Sequence, residues 1–184
     1  MATDGTMSFI YANIDGSNET TGLINKLAYT TKKHVYYSLT TDAILDLEPA
    51  QKDWDIVFTK YNQLQPQGGF YKVTGVLMND GRTVAEARDV DLVTTGWFGH
   101  DYTTDIGTIG GDWKSFNMGT FAYDIVDSLT YFISDTNEIV WQLTYTGFDG
   151  SATGNVYFNT TQVGALSVEK SQLAVNSVSV YPNP

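Results

Sequence analysis

The chain has no cysteine. Disulfides, thiol catalysis and every cysteine-based zinc or iron–sulfur site are therefore excluded. Cationic side chains are also scarce, with ten Lys and Arg against 21 Asp and Glu, a formal net charge of −11. A surface of that sign repels nucleic-acid phosphates, which argues against a phosphate-tracking function. Solubility is the plain reading of the acidity. No apolar run approaches the length of a membrane helix. A charged leader before an apolar stretch is missing too, and Met1-Ala2 reads as an expression start on a mature chain. With two histidines, four methionines and no Walker-type or G-x-S-x-G string, phosphate loops and nucleophile elbows have no footing.

What is present is Thr, Gly, Asn and Tyr in quantity, the composition of an extracellular β protein. The 184 residues suffice for one domain with a sizeable core. The clearest organisation lies between Asp127 and Thr160, read as a three-stranded antiparallel meander. Leu129 to Ile133 is a strand, Asp135-Thr136-Asn137-Glu138 a polar turn, and the next strand alternates strictly. Ile139, Trp141, Leu143 and Tyr145 take one face; Val140, Gln142, Thr144 and Thr146 take the other, as in a half-buried strand. A Gly/Ser/Thr loop from Asp149-Gly150 returns through Val156-Tyr157-Phe158. The fold class that follows is all-β, a single domain of antiparallel strands and meanders. Trp54, Phe58, Trp141, Leu143 and Phe158 are expected in one core.

Earlier strands are expected at Val35–Leu39, Ala43–Leu45, Asp53–Asn62 and Phe70–Met78. Asn79-Asp80-Gly81 reads as a hairpin turn returning through Thr83–Ala87. Residues 1–34 read as an arm or first strand and 164–177 as a linker. From Thr94 to Gly111 the chain is Gly, Thr and Asp with isolated aromatics, and a long aperiodic loop of this kind is often functional.

Three stretches, in order, carry a resemblance. They are Tyr36-Tyr37-Ser38 followed by Trp54-Asp55 and Lys60-Tyr61; Gly111-Asp112-Trp113-Lys114-Ser115-Phe116-Asn117-Met118-Gly119; and the meander ending in Gly154-Asn155-Val156-Tyr157-Phe158. Together they resemble the HmuY family of haem-binding proteins of Bacteroidota over residues 35–163. The string Val178-Ser179-Val180-Tyr181-Pro182-Asn183-Pro184 resembles the opening of a type IX secretion sorting domain, which implies a secreted or cell-surface address. The family resemblance implies a non-enzymatic, haemophore-like protein that takes haem or a similar flat ligand. An outer-membrane receptor is a possible partner. It also implies Met118 as an axial ligand. On the opposite wall the family places a ligand after the hairpin that follows the W-D strand; here the nearest candidate is Met78, whose plainer reading is core filling. His100 is the alternative. The rival reading is a structural or adhesive surface module of the same fold that has lost the haem site.

Other candidates are weaker. His34 reads as a strand-flank residue beside Lys32-Lys33. Tyr61, Tyr71 and Tyr102 are open as further ligands or stacking residues. The loop Asp101-Tyr102-Thr103-Thr104-Asp105 has calcium-type donors, although a solvated acidic loop is the simpler account. Paired carboxylates for glycoside hydrolysis are possible among 21 acids, and none is singled out.

Overall fold

A computed structural model describes residues 5–64 and 67–166 of the chain. The expected sorting segment 178–184 and most of the expected linker lie outside the described residues. Among the described residues there are twelve strands, and helix is limited to two short 3-10 turns, at Lys26–Tyr29 and Gln51–Asp53. The protein is all-β and antiparallel. It divides into two compact units, Met1–Gly81 and Arg82–Pro184.

The first unit is three hairpins: β1 (Thr6–Tyr11) with β2 (Thr20–Asn25), β3 (Tyr36–Ser38) with β4 (Ala43–Leu45), and β5 (Ile56–Leu64) with β6 (Phe70–Met78). Residues 6–11 and 20–25, expected within an arm or first strand, form a paired hairpin. In it Phe9 lies opposite Gly22, where any Cβ would collide with the Phe9 ring. Among its described large apolar side chains only Ile24, Val76 and Met78 are fully buried.

The Asn79-Asp80-Gly81 turn does not make the hairpin its sequence suggests. β6 pairs with β5 alone, while the following strand, β7 (Thr83–Arg88), joins the sheet of the second unit. The reason lies in Asn79. Its side chain is buried and donates through Nδ2 to the carbonyls of Gln51, at 2.6 Å, and Trp54, at 2.8 Å. Its backbone N–H donates to Asp55 at 2.8 Å. Asn79 ties the end of β6 back to the approach to β5, so the turn closes a unit.

The second unit is a four-stranded sheet of order β12-β11-β10-β7, with β10 (Leu129–Ser134), β11 (Ile139–Phe148) and β12 (Val156–Ala165). A separate hairpin pairs β8 (Lys114–Asn117) with β9 (Ala122–Ile125). The β10–β11 turn is held by Asp135, whose Oδ1 accepts the N–H of Asn137 at 2.7 Å and of Ile139 at 3.0 Å. The meander is present as expected. All six residues of β10 are buried, because both of its faces are covered, whereas the edge strand β12 is mostly exposed.

Register shows how. Tyr131 lies opposite Leu143 and Phe132 opposite Gln142, so Tyr131, Leu143 and Tyr145 share one face and Phe132, Gln142 and Val140 share the other. The first face packs on Ile109 and Trp113: the Tyr131 hydroxyl donates to the Ile109 carbonyl at 3.2 Å, and Trp113 stacks on Tyr145 at 4.0 Å. The second face is roofed by the loop after β7. Val90, Trp97 and Tyr102 pack with Val163 on Ala87, Phe132 and Val140, and Gln142 donates to the Leu92 carbonyl. Val140 and Gln142, on the face opposite Trp141 and Leu143, therefore lie under that roof. Trp97 sits where a Cβ on Gly164 would have to be.

Of the five residues expected in one core, only Leu143 is fully buried. Phe58 and Phe158 are 38% and 41% exposed, and Trp54 and Trp141 are half-buried. β5 has one partner strand and β12 is a sheet edge, so alternating aromatics there meet solvent on one side. The expected boundary after residue 163 falls inside β12, which runs to Ala165, and Leu166 still donates its N–H to Glu138 at 2.7 Å.

Candidate ligand sites

The three residues proposed to ligate haem meet three different fates. Met78 belongs to the first unit, at the end of β6, and is 2% exposed. Its thioether fills the core, which is the simpler of its two sequence readings. His100 lies in the roof loop of the second unit, its ring stacked on Phe132 at 5.3 Å and 21°. Its Nε2 is 2.9 Å from the Gly96 carbonyl, an acceptor, so that nitrogen carries the proton. Tyr102, beneath the same roof, donates its hydroxyl to the Trp97 carbonyl at 3.1 Å.

Met118 is presented instead. Trp113, at the base of the β8–β9 hairpin, is 1% exposed and donates its indole N–H to Gly110 at 3.2 Å. Lys114 lies over the Trp113 ring at 4.0 Å and the Phe148 ring at 4.8 Å, a cation–π arrangement. Tyr123 meets Phe148 edge-on at 4.8 Å, and Phe116 meets Tyr123 at 5.2 Å. These contacts root the hairpin. At its tip, Asn117 Oδ1 accepts the N–H groups of Gly119 and Thr120, and Asn117 Nδ2 donates to Asp124 at 2.8 Å. Met118 is 72% exposed and Phe121 76%, with Phe116 also exposed. Phe121 holds φ at +53°, a left-handed conformation unusual for a bulky residue.

Met118 and His100 do not face each other. The hairpin is rooted on the Tyr145 face of the sheet, while the His100 ring rests on Phe132, on the opposite face.

The sequence reading missed one constellation. His34, placed on a strand flank, and Glu48, not singled out, lie at a cleft of about 340 Å³ in the first unit. His34 Nδ1 is 3.1 Å from Glu48 Oε2, while Glu48 Oε1 accepts the Lys33 N–H at 2.9 Å. Tyr36 and Trp54 line the same cleft with Leu47 and Pro49. A second cleft, of about 280 Å³, is also lined by His34 and carries Lys26, Lys32 and Lys33, of which Lys32 pairs with Asp46 at 2.9 Å and Lys33 with Asp80 at 2.7 Å. Only the adjacency of Lys32, Lys33 and His34 hinted at any of this in the sequence.

The calcium-type loop is otherwise employed. Asp105 Oδ1 accepts the Gly107 N–H at 2.9 Å, and among the described residues no group of three or more His, Asp or Glu is placed to share a metal ion. Tyr71 is exposed on β6 and Tyr61 is half-buried on β5. A scan against models of protein families, and searches of curated proteins and of solved structures, find no match.

Proposed function

We propose that this chain is a secreted, non-enzymatic haem-binding protein of haemophore type, with the β8–β9 hairpin as its recognition element and Met118 as ligand to the iron. The observation that carries the reading is the presentation of Met118. Its thioether stands in solvent on a turn pinned by Asn117, flanked by exposed Phe116 and Phe121, above a root of packed aromatics. Exposed apolar side chains gathered at one tip mark an interaction surface. A flat apolar ligand lying on Phe116 and Phe121 would bring its metal to the sulfur. A single exposed ligand also suits hand-over to a receptor at the outer membrane. The string at 178–184 supports the type IX address.

A second reading keeps the hairpin and drops the haem: a docking finger of a surface adhesive module. It is favoured by the burial of Met78 and by the position of His100 on the far face of the sheet. One titration separates the two. A thioether is soft and neutral, so reduced hemin should bind better than oxidised, with a Soret shift that Met118→Ala removes. An unchanged titration in Met118→Ala removes this residue from the site. No shift with the wild type in either redox state leaves the docking module.

A further inference from the structure

The two edges of the second unit's sheet are finished differently. At the β7 edge the roof loop supplies a partner: the Val84 N–H donates to the Thr103 carbonyl at 2.9 Å, and the Thr103 N–H donates to the Val84 carbonyl at 2.8 Å. β7 also carries Glu86 and Arg88. At the other edge, β12 has β11 as its one neighbouring strand among the described residues. It runs for ten residues and is exposed over 157–162. Edge strands are ordinarily guarded by shortness, by proline, by charge or by a bulge, because their outward N–H and C=O groups accept another strand. β12 has no proline and no charged residue, and it lies within residues 150–168, the longest uncharged run of the chain. Its register on β11 shifts only near the two ends, and from Phe158 to Gln162 the ladder is regular.

We infer that β12 pairs with β12 of a second copy of this chain, antiparallel about a twofold axis, so that two four-stranded sheets become one. Directly opposed residues share a face, so the axis must pass beside one residue that faces its own counterpart. The centre of the regular ladder is Thr160. Thr160 then faces Thr160 of the second copy and Asn159 faces its Thr161, all of them exposed and uncharged. Charge selects the same occupant. At −11, two copies repel each other over most of their surface, and along β12 no charge opposes the approach. Because Thr103 occupies the β7 edge, addition stops at two copies and does not run on into a fibre. The axis stands perpendicular to the sheet, so the Tyr145 faces of both copies look the same way. Each β8–β9 hairpin is rooted on that face through Trp113, and the pair presents both tips on one side, a bivalent arrangement toward a single target. The pairing does not rest on what the tip binds.

The test is sedimentation velocity of the whole chain over a concentration series, with wild type, Thr160→Lys and Thr160→Glu. Thr160 is exposed, so neither substitution disturbs the monomer's core. Wild type should pass from monomer to dimer as concentration rises. Each variant sets two like charges directly opposite one another across the axis and should weaken the dimer by roughly tenfold or more. An equimolar mixture of the two variants places Lys against Glu at the same point and should restore the dimer, a recovery that misfolded variants could not give. A wild type that stays monomeric at every concentration overturns the inference. So does a dimer that Thr160→Lys leaves intact, or one that the mixture fails to restore, because either places the contact elsewhere. Assembly of the wild type beyond two copies would show that the β7 edge is not closed, and overturns the twofold arrangement.

Discussion

The two units spend their apolar residues differently. In the second, β10 is covered on both faces and buried along its whole length, while the edge strand β12 stays mostly exposed. In the first, hairpins stand with one partner each, few side chains are fully enclosed, and Ile10, Leu23, Leu39, Phe70 and Tyr71 are exposed. Stability concentrates where two layers meet a sheet, and open clefts persist where hairpins converge without a second layer. The second unit also reaches solvent with apolar side chains, among them Val93 and Phe98 in the roof loop and the β8–β9 tip, which is rooted on the sheet rather than part of it.

Core truncation should show that difference at its largest. Phe132→Ala empties a site enclosed by β7, β11 and the roof loop and should cost about 3–5 kcal/mol. Phe58→Ala, at a position already 38% exposed, should cost much less. Denaturant titrations of both variants check this, and equal losses would erase the contrast between the units. A smaller effect is expected at Gly164, where a side chain must displace Trp97. Gly164→Val should cost about 1–3 kcal/mol by overpacking and alter the near-UV circular dichroism of the roof aromatics. An unchanged spectrum would mean the roof does not depend on that close approach.

Strands were largely legible in the sequence, since alternation and Asp, Asn and Gly turns are local signals. The meander, β5 and β6 appear close to where they were expected. Coverage was not legible, because the pattern of β11 says which residues share a face and not what lies on it; the roof comes from a loop without periodicity. The Asn79 turn misled for a related reason. Its dipeptides fit a hairpin, yet its side chain is spent on Gln51 and Trp54, more than twenty positions upstream. Met118 was singled out only through its resemblance to a haem-binding family, and its exposure is a property of a hairpin too short to read from its strands. The His34–Glu48 pair was hidden because fourteen residues and a hairpin separate its members.

The hairpin tip offers a test in which stability and binding should move in opposite directions. A bulky residue in the left-handed region costs about 1–2 kcal/mol, and glycine avoids that cost while losing more freedom on folding. Phe121 is mostly exposed, so little burial is forfeited on its removal. Phe121→Gly should therefore raise stability by up to about 1 kcal/mol and weaken whatever the tip binds, hemin in the first instance. A variant that loses stability would show that Phe121 is held by packing rather than kept for recognition.

The smallest expected effect is a change in the slope of stability with pH, and it belongs to the hairpin root. Burial pushes Lys114 down from 10.5 to about 8, with Asp112 partly opposing. Between those values the unfolded chain binds a proton that the folded chain has released, so stability should rise with pH from about 8. The buried phenols act in the opposite sense. Burial raises Tyr131 and Tyr145 well above the ordinary phenol range, and outside the core the hydrogen bond to the Asp42 carboxylate raises Tyr37 to about 12. Unfolded tyrosines ionise near pH 10 while the folded ones keep their protons, so stability should turn downward above about 10. Lys114 is only partly buried, and solvent screening keeps its share of the rise small. Melting temperatures from pH 7 to 11 should thus climb and then fall in the wild type. Lys114→Met should lose the climb and keep the fall, and Tyr145→Phe should soften the fall and keep the climb. A climb that survives in Lys114→Met would place its origin elsewhere, and the ammonium over Trp113 and Phe148 would then be no less at home in the folded chain than in water.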